Sequence, residues 1–150
     1  MRHPERNRHM QEAAGKRPEF RNIHAFRDLP SYRWPLAAIV SGMHRFSGVL
    51  MFALLPLVMW LFDKSISSEI SFARMRSAFD TGAGGVLLKL IVLALIWAYL
   101  HHFTAGLRHI WMDVSHAAVS KERGFTSARF TLIVSLVLTV VLGAKLFGLY

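Results

Sequence analysis

The sequence predicts an all-α integral membrane protein: a bundle of three transmembrane helices preceded by a basic cytoplasmic arm. Three observations carry that prediction. The chain has 150 residues, is 53% hydrophobic, and bears 18 Lys and Arg against 9 Asp and Glu. A soluble domain of this size has too little interior for so much apolar sequence. The apolar residues are gathered in three long stretches, 36–62, 86–111 and 130–149, each long enough to supply the ~20 helical residues that cross a bilayer core of ~30 Å. The basic residues crowd the flanks of those stretches. Nucleic-acid binding, the usual rival for a basic chain, fits poorly with apolar residues in such runs. The absence of cysteine excludes disulfides, thiolate metal sites, Cys-ligated iron–sulfur clusters and covalent c-type haem.

Residues 1–35 form the arm, and 36–150 the membrane domain. The arm carries Arg2, Arg6, Arg8, Lys16, Arg17, Arg21, Arg27 and Arg33. A secretory signal would place its apolar core nearer the start, and a transit peptide would be poorer in acids than a segment holding Glu5, Glu12, Glu19 and Asp28. Residues 1–15 are expected to be partly disordered, and 17–22 have the composition to dock on a partner. The first span is interrupted only by His44 and Arg45, and Pro56 is expected to bend it. A link over 63–85 leads to the second span, which holds Lys89 near its start and His101, His102, Arg108 and His109 toward its end. A second link, 112–129, precedes the third span, where Ser135, Thr139 and Gly143 form a small-residue stripe suited to helix packing.

Lys and Arg near the span ends set the orientation. The arm has eight, and the second link adds Lys121, Arg123 and Arg129; the first link has only Lys64, Arg74 and Arg76, and the C-terminus Lys145. The arm and second link are therefore expected on the cytoplasmic (or matrix) side, with the first link and Tyr150 opposite. Tyr32, Trp34 and Trp111 suit the inner interface, Trp60 and Tyr150 the outer.

Polar residues inside the spans converge. Ser41, His44, Arg45 and Gly48 are spaced i, i+3, i+4, i+7, and His102, Gly106, His109 and Asp113 likewise share one helix face, with His101 and Arg108 on a neighbouring face. By helix rise, Ser41 and Arg45 lie ~9–15 Å below the cytoplasmic surface, His109 ~6 Å and His102 ~16 Å. The two spans run in opposite directions, so both clusters fall in one leaflet. A neutral imidazole in apolar surroundings is a good ligand for b-type haem iron. Arg45, His44 and Arg108 have the charge to hold propionates. Gly106 leaves room for a flat macrocycle. His102 and His109 share a face, so they cannot approach one iron from opposite sides; a second ligand would come from another helix. Simpler roles compete with each of these. His109 and His116 suit interfacial anchoring, His101 a lipid-side or supporting position, and an arginine one turn into a span can snorkel. Helix–helix hydrogen bonding and an ion pathway remain the alternatives to haem at this point.

Ser41-Gly42-Met43-His44-Arg45-Phe46-Ser47-Gly48 resembles the S-x-x-H-R-x-S/T-G signature of succinate dehydrogenase cytochrome b subunits. His102-Phe103-Thr104-Ala105-Gly106-Leu107-Arg108-His109 with Asp113 resembles their second signature, H-x-x-x-G-x-R-H-x-x-x-D. Arg17-Pro18 and Tyr32-Arg33-Trp34-Pro35-Leu36 look like the family's lead-in. Gly42-Met43 replaces the common Ile-Leu, and the stretch from Arg17 to Tyr32 is longer than in many relatives. The resemblance implies the large membrane anchor of respiratory complex II in a bacterial inner membrane. It implies one b haem shared with a second, smaller anchor subunit, an iron–sulfur subunit and a flavoprotein above the membrane, and ubiquinone as the electron acceptor. It also implies His102 as the axial ligand, Ser41 and Arg45 in the quinone site, His44 and Arg108 at the haem propionates, and His109 in a supporting role. Succinate chemistry would belong to the other chains, since no flavin- or nucleotide-binding motif is present here. The competing expectations are the anchor of a fumarate reductase and a cofactor-free structural anchor.

Overall fold

The computed structural model describes residues 23–150; the expected disorder over 1–15 and the docking segment 17–22 lie outside the described residues. The chain divides into two units, Met1–Arg33 and Trp34–Tyr150. Among its described residues the first contributes one short helix, α1 (Ala25–Asp28). The His24 backbone N–H donates to the Asp28 carboxylate at 2.9 Å, satisfying a donor at the open N-terminus.

The second unit is helical throughout its regular structure. Its elements are α2 (Leu36–Ala53), α3 (Leu55–Ile66), α4 (Glu69–Asp80), α5 (Gly82–Val114), a 3-10 turn (His116–Val119) and α6 (Lys121–Leu146). Among the described residues, α2, α5 and α6 are the helices long and apolar enough to cross a membrane. At 1.5 Å per residue they extend about 27, 50 and 39 Å. The all-α, three-span architecture is as the apolar pattern predicts, and the protein is a multi-pass membrane protein.

Two boundaries differ from the sequence expectation for physical reasons. The first span is interrupted at Leu54 (φ −90°, ψ 1°), two residues before Pro56, which stands in the first turn of the next helix, α3. There its missing N–H costs nothing, because first-turn donors have no intrahelical partner. The second link also shortens from 112–129 to 115–120. Ser120 caps α6, its hydroxyl accepting from the Arg123 backbone N–H at 3.4 Å, and Glu122 lies in the first turn. Hydropathy marks only the lipid-immersed part of a helix, so the polar turns 121–129 read as link in the sequence. The first link contains α4, closed by a capping box in which Ser68 and Ser71 hydroxyls each accept the other's backbone N–H at 3.1 Å.

The interior of the bundle is built from small residues. Val40, Ala98, Ala105, Ala118 and Ala128 are fully buried, while Phe52 and Val140 are 79% and 69% exposed. This arrangement suits lipid, where close backbone approach rather than expulsion of large side chains from water holds helices together. Val40, Ala105 and Ala128 meet where α2, α5 and α6 cross, with Leu36, Ala37 and Leu132 around them. Gly143 belongs to the same logic: a Cβ there would lie 2.7 Å from the Leu93 side chain.

Candidate functional site

The α2–α5 crossing is close because each helix offers a glycine to the other's histidine. An ideal Cβ on Gly48 would lie 2.9 Å from His102 Cε1, tighter than real contacts allow. A Cβ on Gly106 would lie 3.6 Å from His44 Nε2, an ordinary contact. Gly106 thus faces the His44 ring. The two imidazoles stack at 4.1 Å between centroids and 17° between planes, and His44 also meets His109 at 5.1 Å. The structure therefore brings His44, His102 and His109 together, as their spacing on two antiparallel helices predicts.

The hydrogen bonding distinguishes the two ring nitrogens of His102. Nδ1 lies 3.0 Å from the His44 carbonyl and 3.3 Å from Ser47 Oγ. A carbonyl only accepts, so Nδ1 carries the proton, and in the neutral ring Nε2 is the nitrogen with the lone pair. Ser47 is fully buried and donates its own hydroxyl proton to the same His44 carbonyl at 2.8 Å. In the sequence Ser47 stands out only as part of a motif. The available signal was a serine next to the glycine that admits the ring, one turn from His44.

His101 occupies a different environment. It is completely buried, Nε2 faces the Val40 carbonyl at 3.4 Å and Nδ1 faces Ser135 Oγ at 3.4 Å. Its ring stacks on Trp97 at 5.6 Å. The expected lipid-side alternative for His101 thus gives way to a position inside the bundle, where it links α2, α5 and α6. Both of its nitrogens face partners, unlike those of His102.

Arg108 shares this interior stripe with His101 and Ala105. It is 6% exposed, its Nε donates to Ser127 Oγ at 2.9 Å and its Nη2 to the Gly124 carbonyl at 3.3 Å. Its hydrogen bonds run to α6, away from the stacked histidines. Ser41 and Arg45 lie one turn apart on α2, and neither side chain has a hydrogen bond or ion pair among the described residues. Arg45 is exposed and Ser41 half-buried on the chain by itself. His116 sits in the 3-10 turn, outside the cluster.

This donor set fits a b-type haem on chemical grounds. An imidazole with Nδ1 tied to a carbonyl and Nε2 free is the arrangement that orients a metal-ligating histidine. Among the described residues no three His, Asp or Glu side chains form a metal-binding group, so iron held by one histidine of this chain requires further ligands from elsewhere. A porphyrin plus a partner's axial residue would supply them.

Comparison with known proteins agrees. Residues 19–142 match the family described as succinate dehydrogenase/fumarate reductase transmembrane subunit. The chain is 32% identical over 116 residues to the succinate dehydrogenase cytochrome b556 subunit of Coxiella burnetii, covering 77% of this chain and 90% of that one. It is 31% identical over 113 residues to the cytochrome b556 subunit of Paracoccus denitrificans, covering 75% and 83%. The chain belongs to the succinate dehydrogenase/fumarate reductase transmembrane subunit family, as a membrane anchor of the cytochrome b type and a subunit of a complex rather than a stand-alone enzyme.

Proposed function

We propose that this chain binds one b haem, shared with a second small anchor subunit, and forms part of a ubiquinone-reduction site. Electrons would arrive from an iron–sulfur subunit supplied by a flavoprotein that oxidises succinate. The observation that carries this reading is the His102 imidazole, held by the His44 carbonyl and Ser47 with Nε2 unengaged. The haem, when bound, supplies a one-electron redox centre. His102 would hold its iron through Nε2. His44, stacked beside it, and His109 would meet propionates; Arg108, bonded toward α6, is the least suited of the propionate candidates.

Ser41 and Arg45 act on the quinone. A quinone is apolar and reaches the site from lipid, and its carbonyl oxygens gain negative charge on reduction. The Ser41 hydroxyl donates one hydrogen bond to a carbonyl oxygen, and the Arg45 guanidinium stabilises the charge that develops. A site within ~9–15 Å of the cytoplasmic surface lets water deliver the protons. In this reading the chain sits in a bacterial inner membrane, with its N-terminus cytoplasmic and its C-terminus periplasmic. The relatives named for succinate dehydrogenase favour succinate oxidation over the fumarate reductase direction.

The test is a reduced-minus-oxidised spectrum of the complex purified from its native membrane. A sharp α-band is expected with the wild type and with His101→Ala, and its loss with His102→Ala. An α-band that survives His102→Ala but not His101→Ala overturns the ligand assignment. A haem-free complex that still holds flavoprotein and iron–sulfur subunits leaves the purely structural anchor.

A further inference from the structure

Arg108 leaves one donor group unused. With Nε on Ser127 and Nη2 on the Gly124 carbonyl, its Nη1 is buried and has no hydrogen-bond partner among the described residues. Both of its partners are neutral, and it forms no ion pair there. A buried guanidinium without a counter-charge is costly, so an anion beside it is favoured. Arg108 also lines a cleft of about 450 Å³ between α5 and α6. Leu107, Trp111 and Phe130 form its apolar wall, and Arg123 contributes a second guanidinium. No acidic residue lines it.

The wall distinguishes among anions. Leu107, Trp111 and Phe130 are 52%, 41% and 66% exposed, so this face looks outward from the bundle. A free phosphate gains nothing from that surface, whereas an amphiphile does. Depth agrees as well. Arg108 lies six residues before the end of α5, about 9 Å by helix rise, and Arg123 is in the first turn of α6. That is the level of lipid headgroups and upper acyl chains, and basic pockets between helices are suited to such headgroups. A larger cleft of about 880 Å³, also lined by Arg108, contains Glu122 beside Lys121, which weakens its positive charge.

We propose that the α5–α6 cleft is a binding site for an anionic phospholipid, its phosphate at Arg108 and Arg123 and one acyl chain along Leu107 and Phe130. This site is separate from the stacked histidines and does not depend on the haem reading. Its effect would be to seal α5 to α6 where the buried charge otherwise weakens their packing.

The test uses the whole complex, stripped of lipid in detergent and titrated with phosphatidylglycerol, phosphatidylcholine or inorganic phosphate. Thermal unfolding and native mass spectrometry provide the readouts. Phosphatidylglycerol alone is expected to bind discretely and to raise the unfolding temperature. Arg123→Gln, a change at an exposed side chain, should weaken its binding about fivefold; Arg123→Lys should restore most of it, and Arg108→Gln should abolish it. Equal binding of both lipids, saturation by phosphate alone, or unchanged affinity in Arg123→Gln overturns the proposal. So does an Arg108→Gln complex that loses its haem α-band yet still binds phosphatidylglycerol, because the guanidinium then serves the haem. Loss of a subunit from Arg123→Gln without change in lipid affinity assigns the cleft to a protein partner and likewise overturns it.

Discussion

At the residue scale the decisive contrast is between two adjacent histidines. His101 and His102 differ by about 100° around α5, and that rotation sends one into the three-helix interior and the other into the groove above Gly48. Ser47→Ala should leave the His44 carbonyl as the sole partner of His102 Nδ1. The expected result is retained haem with a changed electron-paramagnetic-resonance spectrum and a shifted midpoint potential, because the ring loses one of its two constraints. An unchanged spectrum with a less stable complex would mean that Ser47 serves packing alone. Ser41→Ala should slow quinone reduction by about 1–3 kcal/mol, or roughly 5- to 150-fold, while haem content and dye-coupled succinate oxidation stay intact. Equal loss of both activities would remove Ser41 from the quinone site. Much of this was legible in the sequence. The two motif faces met as predicted because helix periodicity and antiparallel spans leave little freedom. The tautomer of His102 was not legible, since it depends on a carbonyl 58 positions away.

At the scale of elements, the positions that decide helix contacts are glycines, and they are not equivalent. A Cβ on Gly85 would lie 2.5 Å from the Phe79 carbonyl oxygen, across the α4–α5 corner, whereas Gly84 next to it has nothing within 4 Å. Gly85→Ala should therefore destabilise the subunit by about 1–3 kcal/mol through forced backbone movement. Gly84→Ala should stabilise it by about 0.5–1 kcal/mol, because alanine loses less backbone freedom in a helix. Thermal unfolding of the purified complex checks the pair, and equal effects would show that the corner yields freely. The sequence alone shows three glycines, Gly82, Gly84 and Gly85, around Ala83, with nothing to tell them apart. Only the approach of α4 separates their roles.

At the scale of the whole molecule, an odd number of spans places the ends of the membrane domain on opposite sides. The chain has no cysteine, so single cysteines at Ile23 and Tyr150, which are 75% and 68% exposed, give clean reporters. An impermeant thiol reagent applied to intact cells should label the Tyr150→Cys protein and spare the Ile23→Cys protein until the membrane is opened. The reverse pattern would invert the orientation drawn from Lys and Arg, and equal labelling of both would exclude three spans.

By itself the sequence determined the class of the molecule, its three spans and the two polar faces that meet. Each of these follows from a periodic or cumulative property: an apolar run must match the bilayer, and residues three and four apart must share a helix face. Tertiary structure decided what those rules leave open. It set the interruption of the first span at Leu54, two residues before Pro56, and extended α6 through 121–129. It also directed Arg108 to α6 rather than to the stacked histidines. Those outcomes depend on contacts between distant segments, where a cap, a carbonyl or the room beside a glycine selects among several arrangements that are equally consistent with the local sequence.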